Sequence, residues 1–173
     1  KPASIQVQYS MIDTRAEDEM AQYCVENGIG ILCYGTVAGG FFSERFLGVA
    51  EPTSFDTRSN VKYLLVIKEF GGWDLFQELP RVLDIIAKTH NTDIGTIASA
   101  YIVNRPGVAA VIVGARNLSH LESNLKIPTI KFSETELAAI ANVLSRSKGP
   151  KGPVYYLERY NDEHRNIMHT NNN

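Results

Sequence analysis

The fold is decided by the apolar run Ile29-Gly30-Ile31-Leu32-Cys33-Tyr34, which Gly35 follows. Apolar side chains at nearly every position, bounded by glycines, are typical of a strand buried on both faces, as in a parallel sheet. A second run of this kind covers residues 108–113 and leads into Gly114. The sequence therefore predicts at least two buried parallel strands.

Helical patterns lie between and after these strands. Residues 5–9 alternate apolar and polar side chains and predict a third strand, and residues 16–27 predict a helix that Asp13 or Thr14 would cap. Further helices are predicted over 61–70, 73–90, 93–102, 118–125 and 133–144, the last of which begins with a capping box of Ser133 and Glu136. Pro80 should kink or divide its helix. Apolar strands that alternate with helices predict an α/β fold with a parallel sheet.

Composition places the chain among ordinary soluble globular domains. It has 173 residues, 17 Lys and Arg against 19 Asp and Glu, a net charge of −2 and 44% hydrophobic residues. We therefore expect no nucleic-acid partner, and no apolar run is long enough to predict a membrane partner. One domain is expected over 1–147, followed by a polar, mobile tail over 148–173. The two cysteines, Cys24 and Cys33, form neither a disulfide framework nor a metal motif and favour a cytoplasmic location.

Three stretches, each a strand end followed by a special turn, are more specific than the fold class. They are Ile5-Gln6-Val7-Gln8-Tyr9-Ser10, Gly30-Ile31-Leu32-Cys33-Tyr34-Gly35-Thr36-Val37-Ala38-Gly39-Gly40, and Val111-Ile112-Val113-Gly114-Ala115-Arg116-Asn117 with Leu121 and Asn124. In this order and at these separations they resemble strands six, seven and eight of the aldo-keto reductases. The resemblance implies the C-terminal half of a (β/α)8 barrel, because a complete barrel needs about 250 residues.

The resemblance also implies a function. The chain is expected to be the cofactor-binding half of an oxidoreductase that uses NADP(H), with NAD(H) left open, to reduce aldehydes and ketones or to oxidise alcohols. In the family the catalytic Asp, Tyr, Lys and His come from the first half of the barrel, so no catalytic residue and no metal ligand is assigned in this chain. Its small-molecule substrate would then bind only when the other half is present. The alternative is a non-catalytic subunit that binds the nicotinamide nucleotide or senses it.

Site residues follow from the same resemblance. Gln6 would hold the nicotinamide carboxamide, Tyr34 would stack on the nicotinamide ring, and Asn124 would contact the adenine edge. His120 would stack on the adenine base. The remaining residues would lie along the pyrophosphate and the adenosine phosphate: Gly35, Thr36, Val37, Gly39, Gly114, Ala115, Arg116 and Asn117. His120 and Ser123 depart from the common family pattern, which leaves the choice between NADP and NAD open.

Structural explanations compete at several of these positions. Gln6 could be a polar residue on an alternating strand, Tyr34 could be a core aromatic, and Asn117 could be no more than a helix cap. Ser43 and Arg45 could neutralise phosphate charge or lie in a flexible loop. Cutting a barrel leaves open strand edges, so we also expect self-association.

Overall fold

The structure is a computed structural model that describes residues 1–55, 57–115 and 118–168. Three strands are present in these ranges: β1 (Ser4–Gln8), β2 (Gly30–Tyr34) and β3 (Val108–Val111). The helices are α1 (Glu19–Asn27), α2 (Arg58–Phe70), α3 (Trp73–Thr89), α4 (Ile94–Val103), α5 (Leu121–Lys126), α6 (Glu134–Leu144), α7 (Tyr156–Tyr160) and α8 (Asp162–Met168). None of the helices in the described ranges is long and apolar enough to cross a bilayer.

The strands form one parallel sheet in the order β1-β2-β3. Gln6 lies opposite Leu32, and Ile31 lies opposite Val108, with an irregularity in the register after Ile31. Helices separate the strands along the chain, as the crossover between parallel strands requires. The predicted α/β class with a parallel sheet is therefore confirmed.

The two faces of the sheet differ in polarity and in cover. Val7, Ile31 and Cys33 project from one face into the hydrophobic core that the helices build, and each is fully buried. The opposite face carries Gln6 and Leu32, together with the other residues in register with them, and it is partly exposed. Burial raises the pKa of the Cys33 thiol to about 12, so that this cysteine behaves as a small apolar residue.

The first helix begins later than predicted. It starts at Glu19 instead of residue 16, and Asp13 does not cap it. The Asp13 carboxylate instead accepts hydrogen bonds from the Gln8 amide and the Arg15 guanidinium, which hold it at the end of β1. A local capping signal was thus overridden by contacts with a strand.

Pro80 does not divide its helix. One helix runs from Trp73 to Thr89 with Pro80 buried inside it. Phe76, Leu79 and Leu83 lie on both sides of the proline and are fully buried in the same core. This shared packing outweighs the backbone hydrogen bond that proline cannot make.

The polar tail contains two helices, α7 and α8, where the sequence predicted a mobile segment. Leu157 of α7 and His164 of α8 are buried, and α8 packs against α2. The sequence did not predict these helices because residues 148–168 are mostly polar. Each helix is short and buries only one side, so few apolar residues mark it.

Candidate functional site

A groove of about 540 Å³ lies where β2 and β3 end and their following loops begin. This is the edge at which parallel α/β folds bind their ligands. The groove brings together seven of the residues predicted for the cofactor: Gly35, Thr36, Val37, Gly39, Gly114, His120 and Asn124.

Three predicted residues that the structure describes lie outside the groove. Gln6 and Tyr34 do not line the groove, although Tyr34 immediately precedes Gly35, and Ala115 is exposed outside it. Arg116 and Asn117 lie outside the described residues. Gly114 is therefore the one residue of the predicted anion-binding turn, among those described, that lines the groove. Arg116, the charged residue of that turn, is not among the described residues.

The glycine loop after β2 wraps around the ring of Tyr63. Gly35 and Gly39 both have positive φ angles, of 77° and 63°. A Cβ atom at Gly35 would lie 1.9 Å from the Tyr63 hydroxyl, and one at Gly39 would lie 2.7 Å from the Tyr63 Cδ2 atom. These glycines are thus required by a tyrosine on α2, a reason that the sequence did not reveal.

Polar side chains on α2 and in the loop hold the same turn in place. Asn60 donates from Nδ2 to the Gly39 carbonyl over 2.9 Å, and the Thr57 hydroxyl caps α2 by accepting from the Asn60 amide. The Ser43 hydroxyl donates to the Gly40 carbonyl over 2.7 Å. Ser43, considered for phosphate binding, is therefore engaged within its own loop.

The opposite wall of the groove is formed by the turn after β3 and by α5. Asn124 donates from Nδ2 to the Gly114 carbonyl over 3.4 Å, and the Ser123 hydroxyl donates to the His120 carbonyl over 3.1 Å. Among the described residues other than its two chain neighbours, none has an atom within 4 Å of the position that a Cβ would take at Gly114. Space therefore remains beside Gly114 on this wall. The hydrogen bonds of the wall use the carbonyls of Gly114 and His120, and the His120 side chain is exposed.

Two carboxylates occupy the start of α4 on the floor of the groove. Asp93 accepts from the Thr96 amide over 2.6 Å, and Glu44 accepts from the Ile94 amide over 2.9 Å. Burial raises the pKa of Asp93, but its hydrogen bonds from Thr96 outweigh that effect and leave the pKa below its ordinary value. A phosphate therefore cannot use this helix start and must take its donors from the loops.

A buried ion cluster lies at the end of β1. Arg15 bonds the Asp13 carboxylate over 2.7 Å and the Glu158 carboxylate of α7 over 3.1 Å, and Gln8 donates to Asp13 over 2.6 Å. Burial lowers the pKa of Arg15, yet its bonds to the two carboxylates more than compensate. The cluster joins the C-terminal helix α7 to the strand end.

Tyr34 lies between this cluster and α2. The Lys62 ammonium nitrogen is 5.5 Å from the centroid of the Tyr34 ring and 5.7 Å from that of Tyr63. Burial, with a further contribution from Tyr155, raises the pKa of Tyr34 to about 12. A phenol that holds its proton this tightly is suited to packing against a ring and poorly suited to proton donation at neutral pH.

The backbone carbonyl of Gln6 accepts a hydrogen bond of 2.7 Å from the Tyr155 hydroxyl, while the Gln6 side chain is exposed.

Within residues 1–55, 57–115 and 118–168, no three His, Cys, Asp or Glu side chains come close enough to hold a metal ion.

Comparison with known proteins identifies the class of protein that carries this site. The model of the aldo/keto reductase family matches residues 1–145. An aryl-alcohol dehydrogenase from Pestalotiopsis microspora is 26% identical, over 81% of this chain and 34% of its own length. An aldo-keto reductase from Strobilurus tenacellus is 24% identical, over 86% of this chain and 44% of its own.

Among solved structures, the glycerol dehydrogenase from Gluconobacter oxydans matches with a TM-score of 0.68 at 18% identity, over 88% of this chain and 45% of its own. The chain belongs to the aldo/keto reductase family. It spans less than half the length of these relatives. Its three-stranded parallel sheet with helices is consistent with part of a barrel of the family type.

Proposed function

We propose that the chain is the cofactor-binding half of an NADP(H)-dependent aldo-keto reductase and that β1, β2 and β3 correspond to strands six, seven and eight of the barrel. The observation that carries the proposal is the groove, which joins the glycine loop after β2 to the turn after β3. These two segments are far apart in sequence, and the motif of each one independently predicts contact with the same nicotinamide dinucleotide. NAD(H) remains an alternative cofactor.

The open wall at Gly114 supports the fit of a dinucleotide. Because no described residue beyond its two chain neighbours has an atom within 4 Å of its Cβ direction, a ligand could approach the backbone there. Thr36, Val37 and the Gly39–Gly40 backbone would lie along the pyrophosphate, and Arg116 would grip the adenosine phosphate in a bidentate manner. His120 and Asn124 would contact the adenine.

Tyr34 and Gln6 would serve the nicotinamide end. Tyr34 stands at the carboxyl end of β2 and offers a flat ring, and the Gln6 amide both donates and accepts hydrogen bonds. When bound, the reduced cofactor supplies a hydride for a carbonyl carbon. The residues of this chain would hold and orient it, and the proton donor would come from residues outside the chain.

The substrate class is a carbonyl compound or an alcohol, an assignment that the dehydrogenase names of the relatives support. We place the protein in the cytoplasm, in keeping with its two free, buried cysteines. The isolated chain would bind cofactor without turning it over.

Calorimetric titration of the 173-residue chain with NADPH tests the proposal, together with an assay for carbonyl-dependent NADPH oxidation. We expect saturable binding and negligible oxidation. Absence of binding would contradict the proposed cofactor site, and rapid oxidation would contradict the assignment of the catalytic groups to another part of the protein. A partner protein that co-purifies with a chain that binds NADPH but never consumes it would favour the regulatory-subunit alternative.

A further inference from the structure

Lys62 lies at the nicotinamide end of the proposed site although no cofactor motif includes it. It is on α2, one turn after the Thr57 cap, and its ammonium nitrogen faces the rings of both Tyr34 and Tyr63 at 5.5 and 5.7 Å. A cation at this distance from an aromatic face is held by the negative potential of the ring. The charge of Lys62 is thus fixed beside the ring on which the nicotinamide would stack.

The surroundings keep this charge close to Tyr34. Lys62 is half-buried, and burial, with a smaller effect of Arg15, leaves its pKa below the ordinary value although the Glu158 and Asp13 carboxylates raise it. Arg15 takes up both of those carboxylates in direct hydrogen bonds. Lys62 is therefore the cation of this cluster that faces the aromatic platform.

We propose that Lys62 makes the site select the reduced over the oxidised nicotinamide cofactor. This inference rests on the proposed function, because it takes Tyr34 as the platform for the nicotinamide. The oxidised ring carries a positive charge and the reduced ring is neutral. A fixed ammonium group beside the platform repels the first and leaves the second unaffected, and the partly buried setting weakens the screening by water.

Such selection would favour one direction of the reaction, carbonyl reduction, over the reverse. Tighter binding of the reduced form and faster release of the oxidised form suit a protein that serves carbonyl reduction more than alcohol oxidation. Lys62 would act on the charge of the cofactor, and it would take no part in proton transfer.

The test compares two dissociation constants, for NADP⁺ and for NADPH, measured by calorimetry on the full chain. Lys62→Met removes the charge and keeps most of the apolar stem, and Lys62→Arg keeps the charge. Lys68→Met is the matched control, because Lys68 lies on the same helix and is exposed. Lys62→Gln repeats the measurement in case the methionine variant does not fold.

For Lys62→Met we expect the ratio of the NADP⁺ constant to the NADPH constant to fall by about 5- to 20-fold, mainly through tighter binding of NADP⁺. Lys62→Arg and Lys68→Met should keep the ratio of the wild type. An unchanged ratio in Lys62→Met, with both forms bound, would overturn this inference and leave the proposed function intact. Failure of the wild type to bind either form would overturn both.

Discussion

At the scale of single residues, Tyr63 determines the shape of the loop that the cofactor would contact. Its hydroxyl and ring fill the space next to Gly35 and Gly39, and the Asn60 side chain fastens the same loop to α2. The glycines therefore have a packing role whether or not a phosphate lies against them. Loss of either would disturb the fold and the groove together.

Gly35→Ala should lower the free energy of unfolding by about 3 kcal/mol, since the new methyl group collides with Tyr63 and the residue keeps a positive φ angle. Gly40→Ala is the control, because Gly40 also has a positive φ angle but, among the described residues beyond its chain neighbours, no atom lies within 4 Å of its Cβ direction. Its loss should be about 1 kcal/mol, from the backbone alone. Urea unfolding measures both, and equal losses would refute the packing role of Tyr63.

His164 makes stability depend on pH. Burial lowers its pKa below the ordinary value of 6.5, while the nearby Glu158 and Glu69 raise it, and Arg15 and Lys62 lower it further. The unfolded chain therefore binds a proton at a higher pH than the folded chain does. The contribution of the neutral His164 side chain to the free energy of unfolding is therefore fully present above about pH 6.5, and it is lost as the pH drops below that value.

Urea unfolding at pH 7.5 and pH 5.5 checks this expectation. The wild type should be less stable at pH 5.5, and His164→Gln should lose less stability between the two values. His120→Gln, which changes an exposed histidine, should behave as the wild type does. The same pH dependence in all three proteins would show that His164 is not the group responsible.

At the scale of elements, the C-terminal pair α7 and α8 is attached to the sheet by polar contacts at its beginning. Arg15 bonds Glu158, and the Tyr155 hydroxyl bonds the Gln6 carbonyl on the outer edge of β1. Both side chains of the ion pair are nearly inaccessible, at 2% and 8%. A buried pair of this kind fixes where an element docks, because either charge alone would be left without a partner.

Glu158→Gln should lower the free energy of unfolding by about 3 kcal/mol and speed amide exchange over residues 155–167. The matched control is Glu78→Gln, which breaks the Arg146–Glu78 pair on the surface and should have a much smaller effect. Hydrogen–deuterium exchange by mass spectrometry measures the local change. If exchange over 155–167 matches the wild type, the ion pair does not hold the two helices.

The elements also show where sequence reasoning succeeds. The strands β1 and β2, the helices α3 and α4 and the capping box of α6 follow from periodicity and caps, which are local signals. The start of α1, the continuity at Pro80 and the helices of the tail depend on contacts with distant residues. Arg15 and Glu158 are 143 positions apart, and nothing in either neighbourhood predicts the other.

At the scale of the whole molecule, the sheet has two edges of unequal character. Tyr155 covers part of the β1 edge, while β3 has exposed residues at Ala109 and Ala110. Beyond β3, Leu118 and Leu125 are 82% and 67% exposed. An edge strand beside exposed apolar side chains invites pairing with another chain.

We therefore expect the chain to associate with itself, mainly through β3. Sedimentation over a range of concentrations should give masses above 19.2 kDa, the mass of one chain. Ala110→Lys should weaken association, because a charge on an edge strand opposes pairing. Ala141→Lys, at an exposed position on α6, should leave it unchanged, and a monodisperse 19.2 kDa wild type would contradict the expectation.

The family and the α/β class could be predicted from the sequence because the motifs follow strands whose apolar pattern is local. The groove could be predicted in outline, since strand ends of one parallel sheet lie at one edge. Tyr63, Asn60 and Lys62 could not, because α2 reaches the loop only through the tertiary fold. The sequence shows which loops form the site, and packing decides what supports them.

Hydrogen–deuterium exchange of the chain with and without saturating NADPH is the most direct test of whether the groove binds the cofactor. We predict slower exchange in the loop over 35–43 and in residues 112–114 and 120–124, which contribute side chains and backbone to the groove. The separate surface cavity between the Gly48–Glu51 segment, α3 and α6 should show no change. Slower exchange around that cavity, or unchanged exchange in the two groove segments, would contradict cofactor binding in the groove.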